Sequence, residues 1–227
     1  MPQFSGLIFD FNGVLWWDNR LQEAAWRDFS AGVRGWPLST AELAEHVHGR
    51  NNRYTLEYLS GTKLSEETAV KLSEVKERTY RRLCLAQGAD LRLSPGAESL
   101  LDFLVSNEIS HTIASASGKG NVNFFVENLQ LARWFDVEKI VYDDGTLVGK
   151  PAPDFFLAAA ERLDLVPAQC VVIEDSLSGI QAARTAEIGR VIALVGDNND
   201  TLQGDLTHVD QVIQELSELD RSLFDGY

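Results

Sequence analysis

A chain of 227 residues is long enough for one α/β core with a small accessory unit, and its 44% hydrophobic and 24% charged residues are ordinary for a soluble globular protein. A net charge of −14 predicts a surface that repels nucleic acid and anionic membranes, so an anionic ligand must be captured by a local positive site, with Lys150 and Lys119 as candidates. No apolar stretch reaches membrane-spanning length, and MPQFSGLIFD lacks the basic region of a signal peptide; the two cysteines, Cys84 and Cys170, read as buried reduced thiols, so the expected compartment is the cytoplasm.

The first predicted element is the apolar run Leu7-Ile8-Phe9, a buried parallel strand that stops abruptly on Asp10 and the turn Asn12-Gly13. In open α/β sheets the ligand crevice lies beyond the carboxyl ends of the strands, which sets Asp10 at its mouth. On this stretch alone the commoner reading of Asp10 is a turn cap that ends the strand. Trp16 and Trp17 come next; each can stack on a ligand or lock the flap against the core.

The periodicity then turns helical. Leu21, Ala24, Ala25, Phe29 and Val33 recur at helical spacing until Gly35 and Pro37, and Ser39-x-x-Glu42 is a capping box for a second helix through His48. The polar turn Gly49-Arg50-Asn51-Asn52-Arg53 leads into Tyr54 to Leu59. Ser65 opens a long helix to about Gln87, with Val70, Leu72, Val75, Tyr80, Leu83 and Cys84 as its apolar side. No strand is readable between Asn19 and Gly88. Residues 17–88 are therefore expected to be a purely helical insert in a core made of 1–16 and 89–227. An insert that leaves just after Asp10 and returns just before Pro95 sits above the crevice, where it can exclude water.

In the resumed core, Ser94-Pro95-Gly96 reads as a helix start, and a strand from His111 delivers Ser115 to the crevice. Ser117, Gly118, Lys119 and Gly120 precede an amphipathic helix whose start can bind an anion or simply cap. Lys139 to Tyr142 is a third strand. Lys150 is held between Gly149 and Pro151 ahead of a helix from Asp154 to Leu163. The run Cys170 to Ile173 ends on Glu174-Asp175-Ser176, Arg190 to Val195 finishes the sheet, and Val209 to Leu216 is helix-like. Five strand-like runs interleaved with helices predict an α/β fold, a parallel sheet covered on both faces. His46, His48, His111 and His208 show no metal-ligand spacing, and His48 alone is placed to face the cleft. A carboxylate nucleophile, a hydroxyl, a lysine and paired carboxylates, each at a strand end or in a loop, suit phosphoryl transfer. Clustered carboxylates repel one another unless a cation is bound.

Asp10-x-Asn12-Gly13-Val14, Ser115, Lys150-Pro151-Ala152-Pro153-Asp154 and Glu174-Asp175-Ser176 with Gly179-Ile180 resemble, in order, the four motifs of the haloacid dehalogenase superfamily, in its β-phosphoglucomutase-like branch with a helical cap. The resemblance implies a Rossmann-like three-layer α/β/α fold with strands in the order third, second, first, fourth, fifth. It implies Asp10 as nucleophile; Ser115, Ala116 and Lys150 as phosphate-binding residues; and Mg²⁺ held by Asp10, the Asn12 main-chain carbonyl, Glu174 and Asp175. It further implies a small phosphorylated metabolite as substrate and a monomer, with Arg50, Arg53 and Trp16 as cap-side candidates for substrate contact. One position departs from the pattern. Asn12 stands where the family normally has a second Asp that protonates the leaving group and then activates water, and an amide does not titrate. The expectation is a phosphatase-type hydrolase of attenuated activity, or else a nearly inactive phosphometabolite-binding homologue. Gln22, in place of a cap histidine, counts against a mutase. Gly49 to Tyr58 lacks the lysine of a phosphonate hydrolase, and a dehalogenase usually carries an aromatic residue at position 12.

Overall fold

The computed structural model describes residues 4–196 and 208–224. The ends of the expected core, 1–3 and 225–227, and its segment 197–207 lie outside the described residues. Six strands form one parallel sheet in the order β3-β2-β1-β4-β5-β6: β1 (Gly6–Phe9), β2 (Ser110–Gly118), β3 (Val141–Asp143), β4 (Cys170–Glu174), β5 (Arg190–Leu194) and β6 (Gln211–Ile213). The five strands expected from sequence take the order that the family resemblance implied, and a sixth is added.

β1 is buried on both faces because side chains alternate across a strand. Leu7 and Phe9 point into a layer with α5 (Ala97–Ser106) and α6 (Lys119–Asn128), while Ile8 points to α7 (Asp154–Arg162) and α8 (Leu177–Thr185). This is a three-layer α/β/α sandwich of the Rossmann type.

Between β1 and α5 the described regular elements are helical: α1 (Asn19–Arg34), α2 (Thr40–His46), α3 (Asn52–Ser60), α4 (Glu66–Leu85) and a 3₁₀ turn at Gly88–Asp90. The Ser39/Glu42 capping box forms, Asn51 and Ser65 cap α3 and α4 through their side chains, and Gly35 ends α1 in the left-handed region. Trp26, Leu38, Leu43, Val47 and Leu56 make a small core for this unit, while Ala25, Tyr80 and Cys84 join the main core.

Three local expectations change. In α4 the buried stripe is Ala69, Lys76, Glu77, Tyr80 and Cys84, while Val70 is 58% exposed; a charged pair faces inward and valines face out. α5 starts at Ala97 after Gly96, whose φ of 80° no proline-led first turn would require. The segment from Val209 to Leu216, read as helical, contains β6, pairing in parallel with β5. There Ile213 turns inward and Val212 outward, as adjacent residues of a strand do.

Candidate active site

The strand register brings the site together. Phe9 pairs with Ile113 on one side and Ile173 on the other, so the residues just beyond, Asp10, Ser115 and Glu174, emerge at one edge of the sheet. The Asp10 amide donates to the Ile173 carbonyl at 3.0 Å, carrying the ladder one residue past the strand. Lys150 Nζ then reaches in from the loop before α7, 2.5 Å from Asp10 Oδ1, 2.6 Å from Glu174 Oε1 and 3.4 Å from the Ala114 carbonyl. Burial alone would lower the lysine, but Asp10 and Glu174 outweigh it and hold the ammonium above its ordinary value. Burial pushes Asp10 up to about 7, with Lys150 pulling against it.

Asp10, Asn12, Asn19, Ala116, Ser117 and Asp175 line one side of a cavity. Asp175 accepts from Asn19 Nδ2 at 3.1 Å, and burial, then the nearby Glu174 and Asp10, raises its carboxyl well above the usual range. Its close neighbour is Gly13, in the left-handed region at φ 84°, where an added Cβ would lie 2.0 Å from Asp175 Oδ2; the turn admits glycine alone. Glu174 is turned away from the cavity: Oε1 takes Lys150, and Oε2 accepts from the Asp175 and Ser176 amides and the Ser176 hydroxyl. Ser115 is buried, its hydroxyl accepting from the Ser117 amide at 3.1 Å, so Ala116 and Ser117 present the loop surface. Lys119 is exposed and outside the cavity lining.

Asn12, at the centre, is fully engaged. Nδ2 donates to Asp18 Oδ2 at 2.7 Å and Tyr80 Oη at 3.2 Å, while Oδ1 accepts from Ser117 Oγ at 2.9 Å. Asp18 also accepts from the Gly13 amide and from the Tyr80 hydroxyl, and burial pushes its carboxyl up to about 6. The sequence reading missed Asp18, because an isolated acid after two tryptophans carries no pattern.

The helical unit supplies the opposite wall: Gln22, Trp26, Val47, His48, Gly49, Arg50, Asn52, Lys76 and Glu77. Two of its contacts with the core use main-chain acceptors. Ser178 Oγ donates to the His48 carbonyl at 3.2 Å, and Arg50 Nη1 donates to the Lys150 carbonyl at 3.2 Å. Gly49, at φ 68°, lies so close to the start of α8 that a Cβ there would fall 2.2 Å from Ser178 Oγ. Arg50 is among the residues that line the cavity, its guanidinium 4.7 Å from the Tyr54 ring. Arg53 is not: it pairs with Glu57 and Glu66 on the surface. Nor is Trp16, which packs at 4% exposure against Tyr80 and Phe125; the Trp17 ring lies against Gly196. His48 lines the cavity, with Nε2 on Glu23 at 3.1 Å. Lys76 was also missed. It is buried, 2.6 Å from Glu77, 3.0 Å from Gln22 Oε1 and 4.8 Å from the Trp26 ring, and its spacing of four to Tyr80 was the available signal.

Three buried carboxylates, Asp10, Glu174 and Asp175, gather around Lys150. Among the described residues no ready-made cluster of three His, Cys, Asp or Glu side chains could hold a metal. Asp10 and Asp175 nevertheless share the cavity wall, and carboxylate oxygens are the donor type that Mg²⁺ takes.

The family description "haloacid dehalogenase-like hydrolase" matches residues 4–187. A phosphorylated carbohydrates phosphatase of Thermotoga maritima is 32% identical over 198 residues, covering 86% of this chain and 87% of that protein. A β-phosphoglucomutase of Bacillus subtilis is 30% identical over 219 residues, 94% of this chain and 90% of its own length. Among solved structures, a HAD hydrolase of family IA, variant 3, from Entamoeba histolytica superimposes with a TM-score of 0.82 at 32% identity, covering 96% of each chain. The order of motifs along the chain, the strands that carry them and these likenesses agree: the chain belongs to the haloacid dehalogenase-like hydrolases.

Proposed function

We propose that the protein is a Mg²⁺-dependent phosphatase-type hydrolase of a small phosphorylated metabolite, of the sugar phosphate class, working through an aspartyl-phosphate on Asp10. The observation that carries the reading is Asp10 itself: a strand-end carboxylate on the cavity wall, 2.5 Å from a buried lysine, with Asp175 and the Ser117 loop facing the same space. Asp10 Oδ attacks phosphorus, and the bond to the leaving oxygen breaks. Water then attacks phosphorus, releasing phosphate and the carboxylate. Lys150 and the Ala116-Ser117 loop neutralise the phosphoryl oxygens, and Ser115 and Glu174 hold that loop and that lysine in place. Mg²⁺, held by Asp10, Asp175 and the Asn12 carbonyl with Glu174 behind them, would keep the carboxylates ionised and polarise the phosphoryl group. Residues 17–88, acting as a cap, exclude water from above.

The opposite wall supports the substrate class. Lys76, Glu77, Gln22 and Asn52 offer donors and acceptors beside the Trp26 face, a combination suited to a hydroxyl-rich molecule. Similarity to proteins named for phosphorylated carbohydrates and β-phosphoglucose points the same way. Asn12 attenuates the reaction, since general acid/base help is typically worth about 10²–10⁴-fold.

A second reading, a phosphometabolite-binding protein with almost no turnover, is favoured by one observation: every polar atom of the Asn12 side chain is already committed. Hydrolysis of a generic aryl phosphate with and without Mg²⁺ separates the two. Mg²⁺-dependent turnover that Asp10→Asn reduces below about one-thousandth supports the hydrolase. No turnover, with saturable phosphate binding, supports the second reading. Turnover that survives Asp10→Asn would overturn both the nucleophile and the mechanism.

A further inference from the structure

Asn12, Asp18 and Tyr80 close a three-membered hydrogen-bonded ring: Asn12 Nδ2 to Asp18 Oδ2 at 2.7 Å, Asn12 Nδ2 to Tyr80 Oη at 3.2 Å, and the Tyr80 hydroxyl to Asp18 Oδ2. Two exits leave the ring. Asn12 Oδ1 receives Ser117 Oγ of the anion loop at 2.9 Å, and Asp18 Oδ1 receives the Gly13 amide at 3.2 Å. The three members come from different places: the turn after β1, the residue that opens α1, and the buried stripe of α4. Asp18 and Tyr80 are fully buried, so no water replaces a missing partner.

We infer that Asp18 is a positioning residue of this site, and that Asn12 and Asp18 are a matched amide–carboxylate pair whose side-chain chemistries can be exchanged only together. The inference rests on reading the cavity as a phosphoryl-transfer site.

The argument is an inventory of donors. With Asn12 and Asp18 as they stand, each contact has one donor and one acceptor. Asn12→Asp alone sets two acceptor-only carboxylates 2.7 Å apart, with the single Tyr80 hydroxyl to share. Asp18→Asn alone sets two amides face to face: with the Gly13 amide still on Oδ1 of residue 18, two NH₂ groups meet unless Asn12 flips, and the flip turns its NH₂ on Ser117 Oγ, so the hydroxyl of the anion loop must change from donor to acceptor. The exchange Asn12→Asp with Asp18→Asn mends both. Nδ2 of residue 18 donates to the new carboxylate, Oδ1 of residue 18 still accepts from Gly13, Tyr80 now donates to residue 12, and Ser117 keeps its acceptor. The ring runs in reverse with nothing lost. Asn12 is thus the residue that Asp18 requires, and restoring an acid at position 12 by itself is not expected to raise turnover.

A double-mutant cycle tests this on the full chain, with aryl phosphate turnover and thermal midpoint measured for the native protein, N12D, D18N and N12D/D18N. The expected result is a lowered midpoint in each single variant and recovery of more than half the summed loss in the double. The double should also turn over at least ten times faster than N12D, with the difference in kcat rather than KM because Asp18 touches no phosphate-binding group. Additive midpoint losses, or N12D alone as active as the double, would overturn the pairing. A coupled midpoint with coupling in KM alone would overturn the positioning role. Absence of turnover in all four proteins, with the midpoints still coupled, would sink the hydrolase reading and the positioning role with it, while the pair itself would stand.

Discussion

The two walls of the cavity are built on different principles. On the sheet side, Asp10 and Lys150 are held by main-chain register and buried ion pairs: Phe9 against Ile113 and Ile173, and Lys150 Nζ against two carboxylates. On the helical side, Gln22, Lys76 and Glu77 are held by side chains on packed helices and by one another. A residue fixed by a strand end cannot drift without unmaking the sheet, whereas one fixed by a helix face can be exchanged for another that fits. The first arrangement suits chemistry common to a family and the second suits choice of substrate.

The largest expected break in this contrast is on the sheet side. Lys150→Met leaves Asp10 and Glu174 as uncompensated buried carboxylates, and should lower unfolding free energy by about 3–5 kcal/mol in urea titration while abolishing turnover. Full stability in that variant would refute the ion pair as a structural element. Next comes pH. Asp10, Asp18 and Asp175 have folded-state pKa values raised above their unfolded ones, so between pH 4 and 7 the unfolded chain loses protons that the folded chain retains, and stability should fall as pH rises through that window. A cation that relieves the carboxylates should therefore raise the thermal midpoint more at pH 7 than at pH 5. An equal rise at both would argue against these groups as its site.

On the helical side, Lys76→Met should raise KM for a sugar phosphate about tenfold with a much smaller effect on an aryl phosphate, since one charge-assisted hydrogen bond to substrate is worth about 1.5–3 kcal/mol. A loss equal for both substrates would move Lys76 from recognition to chemistry. The smallest effect belongs to Arg53→Ala, whose exposed pairs with Glu57 and Glu66 should cost no more than about 0.5 kcal/mol and leave kinetics unchanged.

The same contrast governs what could be read from the sequence. Strand ends announce themselves, because an apolar run that stops on an acid is a one-dimensional signal; that signal singled out Asp10, Glu174 and Asp175, while Lys150 stood out in its loop between Gly149 and Pro151, and the Ser39 and Ser65 caps were legible too. Helix faces do not. The α4 stripe was assigned by hydrophobicity, so Val70 and Val75 stood for the inside and Lys76 and Glu77 for the outside, when a buried salt bridge beneath Trp26 reverses them. Arg53 was indistinguishable from Arg50 in one dimension; a single turn of helix carries it from the cavity to the surface. Trp16 went to the core because Phe125 and Tyr80 offered it aromatic edges. Glu174 was recognised as part of the site but not as the support of its lysine and its loop, which depends on where two amides point.

The docking of the helical unit carries one more consequence. Two of the acceptors, at His48 and Lys150, are peptide carbonyls, so replacing either side chain removes neither acceptor. Their donors are Ser178 and Arg50, and side-chain pairs such as Asn121 with Glu77 and Arg81 add to the grip. None of these contacts engages Asp10, so the fit between the helical unit and the core can be altered at positions separate from the strand-end carboxylate.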